Sequence, residues 1–383
     1  MIRALPRRHY DNFGMAALLA FTLSTVIGKG GAAGFASLTS LPGGMVIVPL
    51  LVLLSGWTAW RGVPNVAAAM VLMAAVVAGA VAALSAVHAE PLRGQTGPGF
   101  WAYVVGLWAL AWRANDGLAA FTSLNPIYQR IADLAVPTAF GLWILFLWEA
   151  AVVGFGVPQV LLPAPSAIGE RFASSLDILA ADFEQTFLKA VLSGYALGCG
   201  AGLAVAVLVD RVPFLQRGLL PLGNLVSALP IVGVAPIMVM WFGFDWHSKA
   251  AVVVIMTFFP MLVNSVAGLA GSGRLERELM QSYGASYWQT LWKLRLPAEL
   301  PFIFNALKIN STLALIGAIV AEFFGTPIVG MGFRISTEVG RMNVDMVWAE
   351  ILMAAFAGSA FYGVVAALER AFTFWHPSYR QRK

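Results

Sequence analysis

Few residues of this chain are of the kind that do chemistry, and their spacing excludes most reactions. The four histidines, His9, His88, His247 and His376, lie far apart and form no HExxH pattern, so no metal site is encoded. Cys199 is the single cysteine, which rules out an intrachain disulfide. No GxxxxGK[ST] phosphate loop occurs, so the chain does not supply an ATPase of that kind. What remains are ionisable and polar residues set in apolar runs. Glu149, Lys308 and Glu322 are the ionisable ones; Asn264, Ser265, Asn305, Asn310, Ser311 and Thr312 are neutral. A charge at membrane depth is costly and usually functional. Lys308 and Glu322 stand about 21 Å apart along a helix. They are expected near opposite membrane faces, with Lys308 snorkelling inward and Glu322 a structural partner or gate at the outer end. The neutral residues either meet a polar solute or bond between helices, and both readings stand.

Two further stretches carry a mechanical rather than a chemical signal. Pro230 and Pro236, followed by Trp241, interrupt one apolar span. Their freed backbone carbonyls need a cavity or a neighbouring helix, and broken spans often line transport paths. Residues 271–300 read GSGRLERELMQSYGASYWQTLWKLRLPAEL, charged first and amphipathic later. Gly284 divides this run into two short helical pieces. In the second, Tyr287, Leu291 and Leu294 share one face and Trp288 and Trp292 another. Pro297 ends the run and feeds the next span. From pattern alone, an amphipathic helix lying at the membrane interface explains the run equally well.

The elements that must position these residues follow from composition. Of 383 residues, 59% are hydrophobic and 11% charged, with a mean hydropathy of +0.78. Ordinary soluble domains carry roughly 25% charged residues. A soluble globular enzyme, a disordered regulator and a free nucleic-acid binder are therefore excluded, and an all-α integral membrane protein is left. Ten apolar segments approach the length a bilayer requires: 12–28, 41–60, 65–88, 99–113, 136–157, 187–209, 218–242, 250–270, 301–323 and 345–368. The fourth is the weakest, being stopped by Arg113, Asn115 and Asp116. The first follows Arg3, Arg7 and Arg8 and is read as an uncleaved span, although Ala32-Ala33-Gly34 resembles a cleavage site. With both termini in the cytoplasm, most of the 24 Lys and Arg residues fall inside, as the positive-inside rule demands, and 271–300 is cytoplasmic.

Composition turns polar at 115–134, which marks a linker between a hydrophobic extension, 1–114, and a second unit, 135–383. Residues 158–186 form the longest outer segment, in which Ser166 is placed to cap a helix on the membrane surface. Gly194, Gly198 and Gly202 form overlapping GxxxG steps, the mark of close helix packing. Trp57, Trp60 and Trp246 suit an interfacial belt.

The 271–300 run resembles the EAA loop of ABC importer permeases: Glu-Ala-Ala, three residues, Gly, nine residues, Ile-x-Leu-Pro. Glu278 occupies the glutamate position, Leu279 and Met280 replace the alanines, and Gly284 matches the glycine, with Ala285 after it. Leu294 replaces the isoleucine, and Leu296-Pro297 match the ending without a gap. The stretch 135–378 is similar to permeases of the nitrate, sulfonate, taurine and thiamine-precursor type through Leu147-Trp148-Glu149, Leu162-Pro163-Ala164-Pro165-Ser166, Ala228-Leu229-Pro230, Ala235-Pro236, Trp241-Phe242-Gly243 and Val320-Ala321-Glu322-Phe323.

That resemblance implies a type I importer core of six membrane helices; the apolar segments of 1–114, which the resemblance does not cover, place about four extra ones before it. The resemblance implies a permease pair in the bacterial inner membrane that binds no cofactor itself. ATP and Mg would sit on a separate cytoplasmic ATPase held at the EAA loop, and a periplasmic binding protein would deliver a small anion or vitamin precursor. Glu278, Leu279, Met280, Gly284, Ala285, Leu294, Leu296 and Pro297 are then the coupling residues. Pro230, Pro236, Trp241, Asn264, Asn305, Asn310 and Glu322 are candidates for the translocation path. A secondary transporter driven by an ion gradient has no reason to carry the EAA pattern. A membrane enzyme needs clustered His, Asp or Glu, which is lacking here.

Overall fold

The computed structural model describes residues 12–27, 44–61, 63, 66–89, 92–120, 126–227, 230–325 and 328–375. The basic residues Arg3, Arg7 and Arg8, the Ala32–Gly34 stretch, linker residues 121–125 and Ala228-Leu229 lie outside these ranges. The regular elements among the described residues are all helical, and they fall into two compact units, Met1–Ile168 and Gly169–Lys383.

In the first unit, α1 (Asn12–Ile27) packs on α2 (Gly44–Arg61) and α4 (Pro98–Ala119), while α3 (Val66–His88) packs on α4 and α5 (Pro126–Gly154). Phe21, Leu51, Leu72, Tyr103, Leu107 and Leu110 form its centre. A small residue makes room for one of these rings: a Cβ on Gly106 would meet the Phe21 ring at 2.8 Å. The buried Tyr103 hydroxyl donates to the Gly79 carbonyl at 3.1 Å, so it is satisfied.

The weak fourth span does not stop at Arg113. Arg113 pairs with Asp116 at 2.8 Å, one turn along, and the helix continues to Ala119. Charge ends an apolar run without ending a helix. The turn after α3 is bonded to the end of α5. Gly94 N donates to Val153 O at 3.0 Å, and Thr96 gives both its N–H and its hydroxyl to Gly154 O. Gly94 and Gly156 meet there, both with positive φ, and a Cβ on Gly156 would lie 3.0 Å from Gly94 Cα, so neither site suits a larger residue.

The helix α6 (Pro165–Ser174) begins at Pro165, so Ser166 sits in its first turn rather than at the cap. Ser166 instead gives its N–H and hydroxyl to Glu149, at 2.9 and 2.6 Å. Glu149 also faces His88 Nε2 at 3.0 Å. This carboxylate in an apolar helix is thus held by α3 and by the start of α6.

In the second unit the segment expected on the outer face is shorter than the sequence suggests, because α7 (Leu176–Arg211) starts eleven residues before the expected span. Its Glu184–Val191 stretch is wound in a wider π turn. The apolar run expected as one span over 218–242 is divided into α8 (Pro213–Ser227) and α9 (Ile231–Phe242). Pro230, extended at φ −68° and ψ 120°, is the N-cap of α9; lacking an N–H, it cannot carry a helix through. The central helix α10 (Trp246–Ala270) lies between α7 and α12 (Tyr287–Glu322). A short α11 (Arg274–Ser282) joins α10 to α12, and α13 (Met331–Gly340) and α14 (Val344–Phe372) complete the chain.

Gly194, Gly198 and Gly202 let α7 touch α10: a Cβ on each would fall within 3 Å of the carbonyls of Ala250, Val254 and Phe258 in turn. The GxxxG steps are therefore packing devices. Among the described residues, six helices are long and apolar enough to cross a membrane, namely α3, residues 129–154 of α5, α7, α10, α12 and α14. The apolar parts of α1, α2 and α9 are shorter.

Candidate functional site

The segment between α10 and α12 is built from two helix ends placed back to back. Gly284 has φ +68°. Its N–H donates to Gln281 O at 2.9 Å, and Ala285 N–H donates to Met280 O at 3.0 Å. This pair of bonds is the Schellman closure of a helix, which needs a left-handed residue at the position Gly284 fills. Two residues later Ser286 starts α12 with a reciprocal box, its hydroxyl accepting from Gln289 N and its own N–H donating to Gln289 Oε1. The turn is thus fixed by local bonds rather than by burial.

No residue of α11 is buried. Glu278 is exposed and bound to Arg274 at 2.7 Å. Leu275, Leu279, Tyr283, Trp288 and Trp292 are all more than half exposed, Tyr283 reaching 82%. Met280 and Ala285 are partly covered, as are Leu294, Leu296 and Pro297 on the side turned to the helices, where Leu291 is buried. The split of faces expected for Leu291 against Trp288 and Trp292 is present. An exposed row of apolar and aromatic side chains beside one ion pair is a surface suited to docking on another protein.

The end of this segment is held by a polar cluster that sequence reasoning did not find. Arg295 donates to both Asp210 oxygens, at 2.7 and 2.6 Å, and to Leu269 O at 3.1 and 2.9 Å. Tyr287 Oη donates to the same carboxylate at 2.9 Å, and Arg211 lies over the Tyr287 ring at 4.5 Å. In the sequence these residues are charges at span ends, 85 positions apart, and nothing in their spacing pairs them.

The polar residues within the spans are distributed differently. Asn310 is fully buried and donates to Thr257 O at 2.8 Å and Cys199 Sγ at 3.2 Å, joining α12 to α10 and α7. Asn264 donates to Pro260 O at 2.8 Å within α10. Asn305 and Trp241 are exposed, Pro236 lies inside α9, and Pro230 stands exposed at its start. Lys308 does not snorkel away. It pairs with Glu369 of α14 at 2.8 Å, so a carboxylate on a second helix meets this mostly covered ammonium.

Glu322 accepts from Thr186 Oγ1 at 2.8 Å and from Gly332 N at 2.7 Å. Thr186 in turn accepts from Met331 N, and Asp182 accepts from Gly330 N and from Arg334. The first three N–H groups at the start of α13 are therefore met by side chains from α7 and α12. The pocket is tight, since a Cβ on Gly330 would lie 2.7 Å from Glu322 Oε1. Lys249 is buried at the same end of α10 and donates to the carbonyls of Phe244 and Asp245. Asp245 caps α10 through Trp246 N at 2.7 Å, a bond that holds its carboxyl below the usual range. Asp182, Lys249 and Arg334 were also missed, because each sits outside the polar runs that the sequence brings forward.

Comparison with known proteins bears on both regions. Residues 195–374 match the family of binding-protein-dependent transport system inner membrane components, a stretch that includes α10, the Gly284 turn and α12. The formylaminopyrimidine transport permease protein of Halalkalibacterium halodurans is 31% identical over 251 residues, covering 64% of this chain and 98% of that one. The chain belongs to this permease family. The riboflavin transport system permease protein of Chloroflexus aurantiacus is 30% identical, with 64% of this chain and 91% of that one aligned. The taurine transport system permease protein of Escherichia coli is 28% identical, with 60% and 85% aligned. The protein is thus a multi-pass membrane permease of a binding-protein-dependent ABC importer. It is a transport subunit and not the enzyme of the system, ATP hydrolysis lying on a separate subunit.

Proposed function

We propose that residues 271–300 seat a cytoplasmic ABC ATPase, and that movement of this seat opens and closes a path for a small solute. ATP and Mg belong to that ATPase. The observation that carries the reading is the Gly284 turn with its exposed flanks: a locally closed, unburied double helix end presenting Leu275, Leu279, Tyr283 and Trp288 beside Glu278. Such an exposed apolar face makes structural sense when a partner covers it. The pattern around it, from Glu278 to Pro297, supports the same reading.

On this reading both termini and the 271–300 segment are cytoplasmic, in the inner membrane of a bacterium. Two copies pair, and a soluble periplasmic binding protein supplies the solute on the opposite face. Residues 1–114 form an added membrane extension, 115–134 a linker, and 135–383 the permease core. Pro230, Pro236, Trp241, Asn264 and Asn305 contribute to the path, while Asn310 and Glu322 hold its walls. The solute is a small organic or inorganic anion or a vitamin precursor; relatives are named for formylaminopyrimidine, riboflavin and taurine.

The test is a cysteine at Leu275 in a Cys199-free background. A membrane-impermeant maleimide should label it in inverted vesicles and not in intact cells, and added ATPase subunit should protect it. Labelling in intact cells would overturn the orientation and the docking together.

A further inference from the structure

Among the described residues, the side-chain hydrogen bonds that leave 273–295 for another helix are all made by Tyr287 and Arg295. Everything between them and Gly273 is closed by local bonds: the Arg274–Glu278 pair, the Schellman turn and the Ser286–Gln289 box. The segment is therefore closed by its own bonds, and its hydrogen-bonded tie to the membrane helices is at one place. That place has a defined geometry. The Arg295 fork spans the Asp210 carboxylate at the end of α7 and the Leu269 carbonyl at the end of α10, while Arg295 itself enters α12. Both groups of the Arg295–Asp210 pair are largely covered, with side chains 12% and 18% exposed. A planar fork carrying several directed bonds fixes orientation as well as distance, which a single ammonium cannot do.

We propose that Arg295 and Asp210 are positioning residues for energy transfer. They lock the ends of α7, α10 and α12 to the 273–291 projection, so that a push on the projection turns three helices as one body. This rests on the reading that the projection docks the ATPase. Without the clamp the projection would still present the same surface, yet its motion would be absorbed at the start of α12 by the π-wound turn at Leu291–Arg295, a winding often found at functional sites.

The experiment uses the full chain, assembled with its ATPase subunit in lipid nanodiscs. Spin labels are placed at Gln281 on the projection and at Ser336 on α13, with MgATP and vanadate as the probe. In the wild type, MgATP and vanadate should convert the distance distribution between the labels. Arg295→Lys, which keeps the charge and loses the fork, and Asp210→Asn should keep the ATPase bound at unchanged affinity. Both should lower the ratio of switched to unswitched complexes by about tenfold. Tyr287→Phe, which removes one bond of the cluster, should lower it less.

Full switching in both Arg295→Lys and Asp210→Asn overturns the clamp. Loss of ATPase binding in both also overturns it, because the residues would then shape the docking surface itself. Failure of the docking reading shows elsewhere, as wild-type ATPase affinity in a Gly284→Leu variant. A merely structural role would lower the yield of folded permease without separating binding from switching.

Discussion

Gly284→Leu isolates a single physical quantity, the sign of one backbone angle. A Cβ at this position would find no heavy atom within 4 Å, so a side chain starts from open space and uncovers no core. The cost comes from φ +68°, where an L-residue is strained by about 1–2 kcal/mol. Relaxing φ would open the bonds to Gln281 O and Met280 O. Exposed bonds of this kind are worth about 0.5–1.5 kcal/mol each, so strain and relief are comparable and both forms become populated. One or two kcal/mol is a factor of about 5–30 in such an equilibrium. ATPase affinity should fall by at most that factor, because only the bent fraction is competent to bind. The assay is titration of the purified ATPase subunit onto detergent-solubilised permease, with chromatographic monodispersity as the check on folding. Gly284→Asn is the control, since asparagine tolerates the left-handed region and should retain most of the affinity. If Asn binds as poorly as Leu, side-chain size at the contact is responsible and the strain argument fails. If Leu binds like the wild type, the turn is not where the ATPase sits.

Gly198→Val should destabilise the permease by about 1–3 kcal/mol or more, since its Cβ would overlap Thr257 Oγ1 and press on Val254 O. Gly200→Ala, with nothing within 4 Å, should be neutral in the same detergent melting experiment. Lys308→Met leaves Glu369 mostly covered and unpaired and should cost about 3–5 kcal/mol, whereas Lys308→Met with Glu369→Leu should recover most of the melting temperature. Asp245→Ala removes the cap of α10 and should cost about 0.5–2 kcal/mol. The Asp245 carboxyl is lowered by its bond from Trp246 N, so its contribution is present above the ordinary aspartate range and fades as pH falls through the folded value. Asp245→Asn should keep much of the cap and flatten that acid limb of a stability profile.

Much of the architecture was legible because apolar length and glycine spacing act locally. The GxxxG steps of α7, the break at Pro230 and the division at Gly284 each reflect a property of one or a few residues. What the sequence hid depends on partners distant along the chain. Arg113 read as the end of a span because its own charge is visible and its bond to Asp116 is not. Lys308 read as a snorkelling lysine because Glu369 belongs to another helix. Arg295 looks like an orientation signal until folding sets it 2.6 Å from Asp210. Glu322 was legible as a costly buried acid, but its bonds to Thr186 and Gly332 appear only when three helices meet. The Gly284 turn was the most legible part of the candidate site, since a helix stop and a helix start can both be read within a dozen residues.

The bonds from Gly94 and Thr96 to Val153 and Gly154 have a consequence for anyone wishing to trim this protein. Helix α5 ends by handing two of its last carbonyls to a turn that precedes it by nearly sixty residues, and Glu149 leans on His88 from the same neighbourhood. Cutting the chain before α5 would leave those acceptors and that carboxylate facing whatever replaced the missing turn. A shortened version would therefore need compensating changes at Val153, Gly154 and Glu149, or a co-expressed fragment carrying residues 84–97, before its first remaining helix could be expected to seat correctly.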